Sequence, residues 1–427
     1  MTVHVYVGPT LSSAEIGSLM PGARVHDPVR HGDLLREDFR PGDRVLIVDG
    51  YYHHTGSVRH KEILHLIDGG VLVAGCASMG ALRAAELAAF GMVGLGEVFD
   101  LYHRGVITGD DEVAVAHTEG PQFRRLSEPL VNIRHVLRML ADDGVITAAD
   151  AGALLDVARA LPYTSRSWPA IDDLVRRKEP ALVAGLGTVR DHVGRDPQRW
   201  DRKAQDTRMA LAWLSEPADP VDTAGWPEGW RTRHLHEWIT QFRGTVVDDV
   251  EVDGLAVVRY RQLYDSAFPA RWRAHVLARI GTVDSGELAT WLTDEEIHAL
   301  PPGELQARAL VRSCRPPRGL ADLAEAAASG QPDDEATVRA VAEAVATNEV
   351  VAEESPEWRI SSLREDVLHT HLAGLWDVAP ADARAFAAAA RDRGFSSTVE
   401  AVEALRPFFL RDHLALGEPA SESEAAI

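Results

Sequence analysis

The chain has 427 residues, of which 45% are hydrophobic and 26% charged. This is the composition of a folded protein, and the length exceeds the roughly 250–300 residues that one hydrophobic core supports, so two or three domains are expected. The net charge of −21 disfavours general binding to nucleic acid or anionic membrane, and two distant cysteines, Cys76 and Cys314, give no disulfide framework and no four-cysteine zinc site.

The N-terminus lacks a basic region followed by an apolar run, and no stretch approaches the roughly 18 apolar residues that span a bilayer, so the expectation is a soluble, cytoplasmic protein. Val3–Val7 reads as a buried strand ending at Gly8-Pro9-Thr10. Ser12 to Glu15 is a capping box that opens a helix to about Met20. A second short strand is expected at Arg24–His26, and a clear one at Val45–Val48, ending at Asp49-Gly50. Lys61–Ile67 has helical spacing and stops at Gly69-Gly70. Val71–Gly75 is a third clear strand, followed at once by an alanine- and leucine-rich helix from about Met79. Strand and helix in alternation imply a parallel sheet with helices on both faces, an α/β three-layer domain. Functional residues then lie beyond the carboxyl ends of the strands, in Gly8–Ser13, Asp49–His60 and Cys76–Gly80.

The third of these loops is the sharpest local feature. A strand, then small-x-Ser-x-Gly, then a helix is the pattern of a nucleophile elbow, with Ser78 between Cys76 and Gly80. Cys76 stands where the first glycine of that motif belongs. Such a turn lifts the serine hydroxyl above the sheet and aims the N–H groups of Met79 and Gly80 at an oxyanion. Ser78 as a helix cap or anion site remains the competing reading. Cys76 reads as a buried small residue rather than a thiol nucleophile.

The loop after Asp49 is unusually polar, running through His53, His54, His60, Lys61 and Glu62. A base for Ser78 is expected from here: His60 by residue type, or Lys61 with a lowered pKa, oriented by Asp49 or Glu62. Lysine occurs only at 61, 178 and 203, against 41 arginines. A lysine kept in such a chain suggests a task arginine cannot perform, such as giving up its proton. No metal is expected: His60 and His65 are five apart, and Lys61 breaks the H-E-x-x-H pattern. Asp110-Asp111-Glu112 reads as a solvated turn, and Gly91, Gly94 and Gly96 form no dinucleotide fingerprint, so no cofactor is expected.

The segments VGPTLSSAE, VRHGDLL, IVDGYYHH, VRHKEIL, GCASMGALRAAEL, FGMVGLGEVFDLY, GDDEVAVAH and LSEPLVNIR, in this order, resemble the TfuA family over roughly residues 1–140. The resemblance implies an accessory protein of YcaO enzymes in backbone thioamidation of ribosomally made peptides. It implies hydrolysis of the thiocarboxylate of a ThiS-like, ubiquitin-like sulfur carrier, releasing sulfide to the YcaO enzyme, which holds the precursor peptide. With that chemistry, Ser78 is the nucleophile, His60 or Lys61 the base, Asp49 or Glu62 the orienting acid, and Met79, Gly80 and Thr10 the oxyanion or anion site. The alternative is a non-catalytic scaffold or allosteric partner of the YcaO enzyme, and a homo-oligomer is compatible with either.

From Leu126 onward the strand pattern gives way to helical spacing, interrupted by one strand-like stretch at Gly244–Gly254. All ten tryptophans lie at or after Trp168, where they interleave with arginines. The expected organisation is an α/β domain over 1–125, a helical, tryptophan-rich region over 126–300, a helical domain over 301–416 and a disordered tail over 417–427.

Overall fold

The computed structural model describes residues 1–51, 55–118, 123–217, 221, 223–227, 229–279, 290–329, 335–355 and 357–415. The expectations placed on His53, His54 and the tail at 417–427 lie outside the described residues. Two compact units are present, Met1–Trp230 and Arg231–Ile427. The boundaries expected at 125 and 300 do not coincide with this division. The reason in the first unit is physical: helices after residue 126 complete its sheet and its second core.

In the first unit, β1 (Val3–Tyr6), β2 (Arg24–His26), β3 (Arg44–Ile47), β4 (Leu72–Cys76) and β5 (Val93–Leu95) form one sheet in the order β2-β1-β3-β4-β5. All its pairings are parallel. Ser12 caps α1 (Ser13–Leu19) by accepting from the Glu15 N–H. α2 (Asp33–Arg36), α3 (His60–Asp68) and α4 (Met79–Leu87) follow in turn. Alternation along the strands divides two apolar faces. Tyr6, Val45, Ile47 and Val73 pack with Ile63, Ile67, Met79 and Ala84 from α3 and α4. Val5, Leu46, Ala74 and Cys76 pack on the other side with Ile16 of α1 and with Ala204, Ala210 and Leu211. The last three belong to α11 (Arg202–Trp213), so the layer expected from α/β alternation is completed by a helix far downstream.

That downstream path runs through α5 (Glu97–His103), α6 (Leu130–Asp142), α7 (Ala148–Arg159), α8 (Trp168–Lys178), α9 (Val183–Arg195) and α10 (Pro197–Trp200) to α11 (Arg202–Trp213). α6 to α10 share a core of Leu130, Ile133, Leu154, Ile171, Val189 and Trp200. Each such fully buried aliphatic side chain contributes about 1.5–3 kcal/mol.

The approach of α4 to the sheet is closer than any side chain permits. A Cβ on Gly80 would stand 1.7 Å from the Ile47 carbonyl oxygen, and one on Gly75 would stand 2.1 Å from that of Gly80. The chain order reverses direction between β1 and β3, and in doubly wound sheets ligands bind outside the carboxyl ends of strands at that point.

The second unit is mainly helical. α12 (Arg233–Phe242) leads into a hairpin of β6 (Thr245–Val247) and β7 (Val250–Val252). Asp248 and Asp249 turn it with φ of 49° and 67°, as a two-residue loop with both residues left-handed requires. The strand-like stretch expected at 244–254 is this hairpin. Further helices surround two cores, one on Leu368, Leu372, Phe386 and Phe408, the other on Phe268, Trp272 and Val276. Among the described residues no helix is long and apolar enough to cross a membrane.

Candidate functional site

The loops after β1, β3 and β4 meet at the switch point. Asp49, 3% exposed, accepts hydrogen bonds from the Gly8 N–H at 3.0 Å, the Thr10 N–H at 3.0 Å and the Thr10 hydroxyl at 2.6 Å. Its carboxylate thereby ties the end of β3 to the loop that follows β1.

Ser78 enters from β4 through a strained turn. Ala77 has φ of 62°, a left-handed conformation unusual for a side-chain-bearing residue, and the Ser78 N–H folds back 2.6 Å to the Cys76 carbonyl. A γ-turn of this hand is rare and strained, and such strain gathers at functional sites. The Ser78 side chain makes no capping bond to α4. Its hydroxyl instead lies 3.0 Å from Lys203 Nζ. The reading of Ser78 as a helix cap therefore finds no hydrogen bond to support it.

Lys203, in the first turn of α11, is 2% exposed. Its ammonium nitrogen meets Ser78 Oγ at 3.0 Å, the Val113 carbonyl at 3.0 Å and Asp49 Oδ1 at 3.7 Å. Burial holds its pKa below the ordinary lysine value, and the carboxylates of Asp49 and Asp201 oppose that shift without reversing it. The start of α11 is itself anchored. Asn132 accepts from the Lys203 N–H at 3.2 Å and donates to Asp201 at 3.0 Å, while Arg125 donates to Asp201 at 2.9 Å.

Ser78, Met79, Asp49, Gly50, Val113 and His117 line a cleft of about 50 Å³. It admits a group of a few atoms. Among the described residues the Met79 N–H meets no hydrogen-bond acceptor and stands at the start of α4, suited to a developing oxyanion. His117 donates from Nδ1 to the Thr118 carbonyl at 2.9 Å.

Several residues expected here serve elsewhere. His60 is exposed to about half and pairs with Glu86 at 2.8 Å. Glu62 points inward, fully buried, and accepts from the Arg59 and Gly32 N–H groups while bonding His31 at 2.6 Å. Lys61, half-buried on the same helical turn, makes no hydrogen bond or ion pair with Ser78 or Asp49. The Gly80 N–H donates to the Val48 carbonyl at 3.2 Å, and both donors of Thr10 are committed to Asp49, so neither offers an anion site. Asp49 stands beside Lys203, not beside His60 or Lys61. The scarcity of lysine was the one sequence signal that could have found Lys203.

Cys76 is wholly buried, with Sγ 3.9 Å from the Thr207 hydroxyl, and burial pushes its thiol far above the ordinary range. A buried thiol of this kind is inert. Cys76→Ala is expected to keep most of the wild-type activity, measured as initial rate, whereas a cysteine nucleophile would leave none.

Residues 49–167 match a family model described as TfuA-like protein. No curated protein matches the chain. The match begins at Asp49, so Thr10 and Lys203 lie outside it. Over residues 49–167, which carry Asp49 and Ser78, the chain is similar to TfuA-like proteins, a family associated with YcaO-related thioamidation.

Proposed function

We propose that this protein is a serine–lysine acyl-transfer hydrolase that cleaves the thiocarboxylate of a ubiquitin-like carrier and supplies sulfide to a YcaO-family enzyme. The observation that carries this reading is the 3.0 Å contact between buried Lys203 Nζ and Ser78 Oγ. A serine hydroxyl is a weak nucleophile until a base takes its proton, and serine–lysine pairs are a known variant of the triad.

The surroundings of Lys203 suit both of its protonation states. A neutral amine has two N–H bonds and one lone pair. The Val113 carbonyl accepts one N–H bond at 3.0 Å, Asp49 Oδ1 lies at 3.7 Å, in ion-pair rather than hydrogen-bond range, and the lone pair faces the Ser78 hydroxyl. The ammonium form has three donors for the same three partners.

Ser78 Oγ adds to the thiocarboxylate carbon as its proton passes to Lys203. The Met79 N–H supports the tetrahedral oxyanion. The C–S bond then breaks, and the proton on Lys203 leaves with sulfur as hydrosulfide, giving an ester on Ser78. Water, deprotonated by Lys203, attacks that ester and returns the carrier carboxylate and the serine hydroxyl. The net reaction is thiocarboxylate plus water to carboxylate plus hydrogen sulfide. The YcaO partner, holding the precursor peptide, consumes the sulfide.

The test follows sulfide from a thiocarboxylated ubiquitin-like carrier mixed with the full chain. Ser78→Ala is expected to reduce release by about 10⁴-fold or more, the scale seen when a hydrolase loses its nucleophile. Release at the wild-type rate from Ser78→Ala would place the chemistry elsewhere. No release from a wild-type protein that still binds its YcaO partner would leave a scaffold in place of an enzyme.

A further inference from the structure

We propose that His4, His26 and Glu37 form a binding site for a divalent transition-metal ion of the zinc class, on the face of the sheet away from α11 and apart from the Ser78 cleft. The pairing of β1 with β2 sets His4 opposite Arg24 and Tyr6 opposite His26, so the two histidines are diagonal neighbours on one face. His4 Nδ1 and His26 Nε2 are 3.0 Å apart. Two nitrogens bound tetrahedrally at about 2.0–2.1 Å from zinc lie roughly 3.3 Å from each other, so a shift of a few tenths of an ångström admits the ion. Glu37 follows α2 in extended backbone and lies beside the same ring, its Oε1 3.8 Å from the other nitrogen of His26, Nδ1, so its carboxylate must turn towards the Nε2 side to join the ion. One ligand atom from each of the three residues lies within 4.8 Å of the others.

The setting favours a cation. Phe39 packs edge-on against the His4 ring at 4.7 Å, and Tyr6 stacks on His26 at 4.5 Å, fixing both imidazoles. Burial lowers both histidine pKa values, which keeps them in the neutral form that metals require. Glu37 and Asp43 act on His4, and Glu37, Asp33 and Asp27 on His26, against Arg24. Among the described residues the Tyr6 hydroxyl is buried with no hydrogen-bond partner, an unanswered polar atom on the ring that stacks on His26. Glu37 is about one-third exposed and gives the ion a way in from solvent. Two nitrogens and one carboxylate oxygen suit zinc rather than magnesium or calcium, and three protein ligands leave a position for water.

A second cluster, His275 with Asp322 and Glu325, has the same residue types but its carboxylates are taken by Arg318 and Arg279. Among the described residues, His4, His26 and Glu37 have no such arginine clamp.

Isothermal titration of the full chain with Zn²⁺ at neutral pH tests the site. One ion per chain is expected, with thermal unfolding moved upward by its presence. His26→Gln and Glu37→Gln should each weaken binding by about 10-fold or more. His103→Gln, an exposed histidine on α5, should not. Co²⁺ should give tetrahedral d–d absorption with wild type that disappears in His26→Gln. Circular dichroism reports whether each variant is folded, and Glu37, at the surface, can change without disturbing the core. A plain histidine–histidine hydrogen bond predicts no stoichiometric binding. That result, or binding unaltered in both His26→Gln and Glu37→Gln, overturns the proposal.

Discussion

Lys203→Arg is expected to lower the rate of sulfide release by about 10²–10⁴-fold, the usual worth of a general base, while the protein stays folded. Arginine keeps the positive charge beside Asp49 but does not give up its proton at accessible pH. Lys203→Met removes both charge and base and is expected to lose activity equally, with a lower melting temperature because Asp49 is left buried beside no cation. The two variants separate a lysine that is needed as a base from one that merely neutralises Asp49. Arginine at wild-type rate would mean charge suffices. The pH profile gives an independent readout. The active form is the neutral amine, so the rate should rise with pH through the Lys203 pKa, which burial places below the ordinary lysine value. Asp49 holds the proton on Lys203, so Asp49→Asn should move that rising limb to lower pH. The same sign applies to stability. A lysine whose folded pKa is depressed binds fewer protons than in the unfolded chain, so its contribution grows as pH rises through that window and is lost as pH falls through the folded pKa.

Gly80→Ala is expected to be the most destabilising methyl that can be added to the first unit. The new Cβ would fall 1.7 Å from the Ile47 carbonyl oxygen, a backbone atom in a central strand that cannot swing aside. Overpacking of a core costs about 1–3 kcal/mol and occasionally more. In a unit of this size that lowers the melting temperature by roughly 2–12 °C. Gly17→Ala in α1 is the matched control, since nothing stands within 4 Å of its would-be Cβ and alanine is the better helix former. It should leave stability unchanged or raise it by about 0.5–1 kcal/mol. Thermal unfolding of the two variants side by side tests the argument; equal melting temperatures would mean that α4 can slide away from the sheet.

The strands at 3–6, 44–47 and 72–76 were legible because a central parallel strand is buried on both faces and reads as an unbroken apolar run. β5 was not, since three half-buried residues with glycine in the middle leave no pattern. The elbow was legible because a tight strand-to-helix turn demands small residues at fixed offsets from Ser78. The lysine beside it was not. Lysine scarcity drew attention to that residue type, but Lys61 stood in a visibly polar run and Lys203 did not. Lys203 sits 125 positions from Ser78 in a helix with no motif, and only the packing of α11 across the sheet brings them together. His60 and Glu62 show the converse. A polar stretch in sequence resolved into a solvent-exposed histidine–carboxylate contact and a buried anchor for backbone N–H groups.

The distance along the chain between Ser78 and Lys203 also sets an order of events in synthesis. A nascent chain emerges N-terminal end first, and the sheet strands leave the ribosome well before α11 does. Until residue 203 has followed, the serine turn has no amine beside it, and the apolar face that α11 covers lies open. Completion of that layer and placement of Lys203 beside Ser78 are one step, so an unfinished chain lacks the contact altogether.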